Sequence, residues 1–121
     1  EYVALTLEQK GIETMFEADE ASLKTSLSMQ TRRDLFLVIK EALNNLAKYS
    51  EATKASISIQ ALPQKITIQI SDNGKGFITN KTFTSNGLKN MRSRVEALNG
   101  KFNVESLPGN GCRIDFWIPS T

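Results

Sequence analysis

The stretch Asp72-Asn73-Gly74-Lys75-Gly76-Phe77 directly follows an alternating run, Lys65-Ile66-Thr67-Ile68-Gln69-Ile70-Ser71. The alternation predicts a strand. An acid at a strand end, next to spaced glycines, lets backbone come close to a ligand while the carboxylate fixes one polar edge of it. Upstream, Glu41, Asn45 and Lys48 recur at i, i+4 and i+7, so they share one helix face. There an amide oxygen on Asn45 can ligate magnesium without adding charge, Glu41 can polarise a water, and Lys48 can meet a phosphate. Downstream, Ser85-Asn86-Gly87-Leu88 opens a second helical stretch, and Pro108-Gly109-Asn110-Gly111 lies between two further alternating runs. Free N–H groups at a helix start can cradle phosphate. The four elements in this order suggest a nucleotide site. A carboxylate accepts the exocyclic amino proton of adenine but repels the oxygen that guanine presents there, so adenine is the expected base.

Each element alone has a plainer reading. Glu41, Asn45 and Lys48 could be a solvated helix face, although an amide is poor helix filler. Asp72 to Gly76 could be a simple turn, because Asp, Asn and Gly dominate turns. Ser85-Asn86-Gly87 could be an N-cap, and Gly109 and Gly111 could belong to any hairpin. Only the combination is specific.

Histidine is absent from all 121 residues. The commonest general base and metal ligand is therefore missing, as is any phosphohistidine. With one cysteine, Cys112, and no histidine, the usual zinc ligand sets and the serine or cysteine triads cannot be built. Cation binding is left to oxygen ligands, which suits magnesium held partly by a ligand's phosphates. A net charge of +2 is too small to argue for nucleic acid or an anionic membrane. No run reaches the ~18 apolar residues of a membrane span, and a lone cysteine fits a reducing, cytoplasmic setting. The length suits one domain. The start at Glu1, without a methionine or a signal-like segment, reads as a piece of something longer, with any membrane anchor outside it.

The positioning elements follow from periodicity. Residues 1 to 10 have no clear period and read as the end of a preceding helix or a linker, leaving 11 to 121 as the domain. A first strand is expected over Ile12 to Ala18. The strongest helix runs from Arg32 to Ser50, with Leu35, Val38, Ile39, Ala42, Leu43, Leu46 and Ala47 in one stripe. Ala55 to Leu62 and Lys65 to Ser71 form a hairpin around Leu62-Pro63-Gln64. Residues 77 to 86 read as a polar loop, a mobile lid hinged at Gly76 and Gly87. Gly87 to Asn99 is helical, stopping at Asn99-Gly100. Lys101 to Leu107 and Cys112 to Pro119 form a second hairpin. This order implies an α+β domain, one sheet covered on one face by helices.

The motifs resemble those of the ATP-binding catalytic domain of bacterial two-component sensor histidine kinases. Glu41-Ala42-Leu43-Asn44-Asn45-Leu46-Ala47-Lys48 resembles the N box, and Asp72 to Phe77 the first glycine box. Gly87-Leu88-Lys89-Asn90-Met91-Arg92-Ser93-Arg94-Val95 resembles the second box, and Gly109-Asn110-Gly111 the last. The second box and the short lid are similar to the subfamily of nitrate and membrane-fluidity sensors. The match spans roughly residues 12 to 119 and extends to the gyrase, heat-shock chaperone and mismatch-repair ATPases. It implies a two-layer α/β sandwich with a mixed, mostly antiparallel sheet.

The resemblance further implies that Asn45 coordinates Mg2+, that Glu41 supports the metal or acts as a base, and that Lys48 contacts phosphate. Asp72 would read adenine, Gly74 and Gly76 would form the pocket wall and lid hinge, and Gly87 and Leu88 would start the helix beside the phosphates. Gly109, Gly111 and Cys112 would complete the ATP site. Two positions depart from the pattern. Tyr49 stands where a histidine usually follows the basic residue, and Cys112 stands where a threonine usually follows the last glycine, a thiol being the weaker donor.

The function so implied is to bind Mg-ATP and donate its γ-phosphoryl group to a histidine on a separate dimerisation domain of the same protein. A response regulator aspartate would be the next acceptor. Neither nucleic acid nor membrane contact is expected of this stretch. Two alternatives are a serine-protein kinase of the anti-sigma type on the same fold, and a binding module that has lost ATP. The second would be expected to lack Asn45 or Asp72; both are present.

Overall fold

The computed structural model describes residues 11–18, 28–49, 51–75, 86–106 and 109–119, with Lys48, Tyr49, Asn86 and Gly87 described by their backbone alone. The elements run β1 (Glu13–Ala18), α1 (Met29–Tyr49), β2 (Lys54–Leu62), β3 (Lys65–Asp72), α2 (Asn86–Ala97), β4 (Lys101–Ser106) and β5 (Cys112–Pro119). They form one five-stranded sheet of order β1-β2-β3-β5-β4. β1 pairs parallel to β2, while the other three pairings are antiparallel. The two expected hairpins are both present.

Alternation puts one apolar face of the sheet toward the helices. Across it run rows of cross-strand partners: Ile57, Ile70, Ile114 and Val104, then Ile59, Ile68, Phe116 and Phe102. The Phe102 and Phe116 rings lie 6.2 Å apart and tilted. α1 lays Val38, Ala42, Leu43 and Leu46 on this surface, and α2 adds Leu88, Met91 and Val95. Burying each large aliphatic side chain contributes about 1.5–3 kcal/mol, so the stripe of α1 is what holds it to the sheet. The opposite sheet face is mostly polar, with Met15 and Trp117 among its apolar members and Lys65 Nζ 5.3 Å from the Trp117 ring centre. Ser56 and Ser71 meet there at 2.6 Å, and Arg113 bridges Glu105 and Asp115.

Helix boundaries differ from the periodic reading in ways the caps explain. α1 begins three residues before Arg32, because Ser28 caps it: the Thr31 N–H donates to Ser28 Oγ at 3.1 Å. α2 ends at Ala97, and Asn99 takes the left-handed conformation (φ 66°) while the Gly100 N–H donates back to the Val95 carbonyl. Gly100 is needed for a different reason: a Cβ there would collide with the Trp117 carbonyl of β5. No described helix is long and apolar enough to cross a membrane. The expected linker over 1 to 10 lies outside the described residues.

Candidate functional site

One row of the helix-facing sheet surface breaks the apolar pattern. Beyond the row of Ile57, Ile70, Ile114 and Val104, the next positions in register are Ala55, Asp72, Cys112 and Ser106. A carboxylate, a thiol and a hydroxyl thus close one end of a hydrophobic core. The strand β3 carries Asp72 as its last residue, one beyond the expected end at Ser71.

Asp72 is held from two sides. The Gly74 N–H donates to its Oδ1 at 2.8 Å, and the Cys112 N–H also donates to the carboxylate. Burial nevertheless outweighs these donors and raises its pKa above the ordinary carboxylate value. Burial thus disfavours the charged carboxylate more than its two N–H donors favour it, a perturbation typical of functional sites. Burial first, then the charge of Asp72, push the Cys112 thiol up to about 11, against a hydrogen bond with Ser106. The thiol stays protonated and is no nucleophile.

The flanking loops are tied to this row. The Ser106 hydroxyl donates to the Gly111 carbonyl at 2.9 Å. Gly111 (φ 77°) lies so close to Asp72 that a Cβ would strike its carbonyl oxygen. The Gly109 N–H donates to the Lys75 carbonyl at 2.5 Å, joining the last glycine turn to the loop after Asp72. On the other side, Asn73 Oδ1 accepts the N–H groups of Thr53 and Lys54 at 3.0 and 2.9 Å, and its Nδ2 donates to Thr53 Oγ1 at 3.0 Å.

Topology brings the helix motifs to the same end. Only the 50–53 link separates the C-terminus of α1 from Lys54, which precedes Ala55 of the polar row. Asn45 and Lys48 belong to those last turns of α1. Similarly, α2 ends beside the start of β4, whereas Ser106 is the far end of β4. The N-terminus of α2, with Gly87 and a buried Leu88, therefore points toward the polar row.

Glu41 and Asn45 are half-buried on the flank of α1. No hydrogen bond or ion pair among the described residues joins either to the Asp72 cluster. Glu41 lines a cleft of about 350 Å³ between the middles of α1 and α2, with Asn44, Asn90 and Arg94. Gly76 and residues 77 to 85 of the expected lid over 77 to 86 lie outside the described residues, as do the side chains of Lys48 and Tyr49; Asn86, the last expected lid position, is instead the first residue of α2. Among the described residues no group of three or more acidic or cysteine side chains could hold a metal ion alone. The half-buried amide of Asn45 is a suitable single oxygen donor, with the remaining ligands left to phosphate and water.

Two residues of this site were not singled out by sequence reasoning. Ser106 had a signal: it follows Phe102 and Val104 at the inward period of its strand, where an apolar residue is expected. Asn73 had none, since Asn before Gly reads as turn filler.

Residues 30–121 match the family model described as histidine kinase-, DNA gyrase B-, and HSP90-like ATPase. The chain is 38% identical over 86 residues to the sensor protein VraS of Staphylococcus saprophyticus, covering 70% of this chain and 25% of that protein. The sensor protein VraS of Staphylococcus aureus is 37% identical over the same length. The chain thus spans about a quarter of the length of the curated relatives it matches. Among solved structures, the histidine kinase domain of the blue-light activated histidine kinase from Erythrobacter litoralis EL346 superposes with a TM-score of 0.75 at 17% identity, covering 98% of this chain and 56% of that one. The Acinetobacter baumannii histidine kinase AdeS gives 0.74 at 22% identity, covering 98% and 61%. These two similarities show the α+β fold. With the ATPase model covering most of the chain and the four motifs in order, the chain belongs to the histidine kinase-, DNA gyrase B-, and HSP90-like ATPase family.

Proposed function

We propose that this domain binds Mg-ATP at the polar end of the sheet and presents its γ-phosphoryl group to a histidine on a separate dimerisation domain of the same protein. A response regulator would then take the phosphoryl group. The observation that carries the reading is Asp72, a carboxylate closing an otherwise apolar sheet face and aimed by the Gly74 and Cys112 N–H groups.

In this reading the Asp72 carboxylate accepts the adenine amino proton, Gly74 lets the backbone come close to the base, and Gly111 lets the last glycine turn pack against the Asp72 main chain. The N–H groups at the start of α2, around Gly87 and Leu88, favour the phosphates. Asn45 supplies an amide oxygen to the metal, and Lys48 supplies a cation. Glu41 supports the metal's water or takes the proton of the acceptor. Bound Mg2+ would neutralise charge on the phosphates; the chain's own residues position and stabilise. The acceptor is not here, since the chain has no histidine.

Calorimetric titration with ATP and GTP, with and without Mg2+, tests the reading. Micromolar-range ATP binding that exceeds GTP binding and that Asp72→Asn weakens is expected. Equal binding of the two nucleotides, indifferent to Asp72→Asn, would overturn it.

A further inference from the structure

The adenine assignment rests on where the Asp72 carboxylate points, and Asp72 is the last residue of its strand. Beyond a strand end the ladder no longer constrains the chain. The carboxylate is oriented by the Gly74 N–H, which is itself placed by the peptide planes on either side of residue 73. Asn73 fixes those planes. Its own N–H donates to the Lys54 carbonyl at 3.2 Å. Its Oδ1 takes the N–H groups of both Thr53 and Lys54, standing in for the carbonyl of a strand neighbour just past the end of β3. Its Nδ2 donates to Thr53 Oγ1, and the Thr53 carbonyl in turn accepts the Glu13 N–H of β1 at 2.8 Å. The anchor therefore runs from the edge strand β1 through Thr53 and Asn73 to the turn that aims Asp72.

We infer that Asn73 is a positioning residue for base recognition: its side chain extends the β2–β3 ladder by one residue and so sets the direction of the Asp72 carboxylate. This rests on the reading of Asp72 as the adenine acceptor. A bond at an exposed site is individually weak, because water competes for it. Here several converge on one side chain, and together they restrict a loop whose glycine would otherwise leave it free. A residue that merely ended a hairpin would influence stability without influencing which base is bound. A residue that aims the carboxylate must influence selectivity.

The test is the ratio of ATP to GTP affinity, measured by titration of the folded domain. Asn73→Ala should lower the ratio by about tenfold, mainly through lost ATP affinity, as expected when a charged hydrogen bond is misdirected. Asn73→Asp keeps an oxygen for the Thr53 and Lys54 N–H groups and should restore most of the ratio. If Asn73→Ala folds with its ratio unaltered, or if Asn73→Asp is as poor as alanine, the inference is overturned. Asp72→Asn measured alongside separates the two levels. Should it leave selectivity intact, the adenine reading itself fails; should it abolish selectivity while Asn73→Ala does not, only the role of Asn73 fails. If Asn73→Ala does not fold, hydrogen exchange on the unmutated domain decides. By reciprocity ATP should slow exchange of the Thr53 and Lys54 amides more than GTP does, and equal exchange with both nucleotides overturns the inference.

Discussion

Gly111 is packed so tightly against Asp72 that any Cβ on it would strike the Asp72 main-chain carbonyl, and its φ of 77° is one that L side chains seldom adopt. The last glycine motif thus holds the carboxylate-bearing strand end from behind. Gly111→Ala should destabilise the domain by at least about 1 kcal/mol, since both the conformation and the space are wrong for alanine. Thermal unfolding should fall by roughly 4 °C or more. Affinity for ATP should fall with it, because relief of the clash moves Asp72; an unchanged melting temperature would contradict the packing described.

Asp72 should show opposite effects on binding and on stability. Its pKa in the fold lies above the ordinary 3.8, so its contribution to stability is fully present below the unfolded value and is lost as pH rises through the folded one. At pH 7 Asp72→Asn removes a charge that burial disfavours, while its amide oxygen can still accept the Gly74 N–H. The variant without nucleotide should melt no lower than the parent at pH 7, and any gain should vanish toward pH 3.8. Its ATP affinity should drop about 10- to 100-fold, the worth of a charged hydrogen bond. A variant that loses binding only because it unfolds would show a lowered melting temperature instead.

The thiol reports on the same charge. Cys112 should alkylate slowly at pH 7 to 8, because its pKa is pushed up to about 11. Burial is the larger cause and the Asp72 charge the second, so Asp72→Asn should lower the thiol pKa without returning it to the ordinary value of 9.0. The pH dependence of iodoacetamide labelling measures both. No difference between parent and variant would mean that the two groups are not neighbours.

Asn45→Ala should leave the fold intact, because Asn45 flanks the buried stripe of Val38, Ala42 and Leu46 rather than joining it. What should disappear is the gain in nucleotide affinity that Mg2+ provides. Titrations with Mg2+ and with EDTA separate the effects. A variant that keeps the parent's magnesium dependence would remove Asn45 from the metal site.

Much of the fold was legible because its periods are clean. The inward isoleucines of β2 and β3 and the 3/4 spacing of α1 leave little freedom in which face is buried. Helix ends were harder, since Ser28 and Asn99 act through local hydrogen bonds that a hydrophobic period does not register. Within the candidate site, Asp72, Gly74, Gly111 and Cys112 were expected from motifs; the register pairs Asp72 with Cys112, and the Gly74 N–H and the Gly111 backbone adjoin Asp72. Asn73 bonds to Thr53 and Lys54, some twenty residues away, so only the fold reveals its part; Ser106 bonds within its own hairpin, to Gly111, and showed in the sequence only as a polar residue at an inward position of β4. Glu41 was placed on the expected helix, but its cleft neighbours Asn90 and Arg94 come from α2 and could not be read from the spacing within α1.

We propose that this domain donates the γ-phosphoryl group of ATP to a histidine it does not itself contain. The most direct measurement mixes the domain, Mg2+ and γ-labelled ATP with the proposed acceptor, a histidine-bearing dimerisation hairpin, then follows label on each component. Label should appear on the hairpin alone, slowly because the pieces are no longer linked, in an acid-labile and base-stable form. It should be lost with Asp72→Asn. Stable label on the domain itself, or acid-stable label on a serine of a protein substrate, would contradict the account and favour a serine-protein kinase on the same fold.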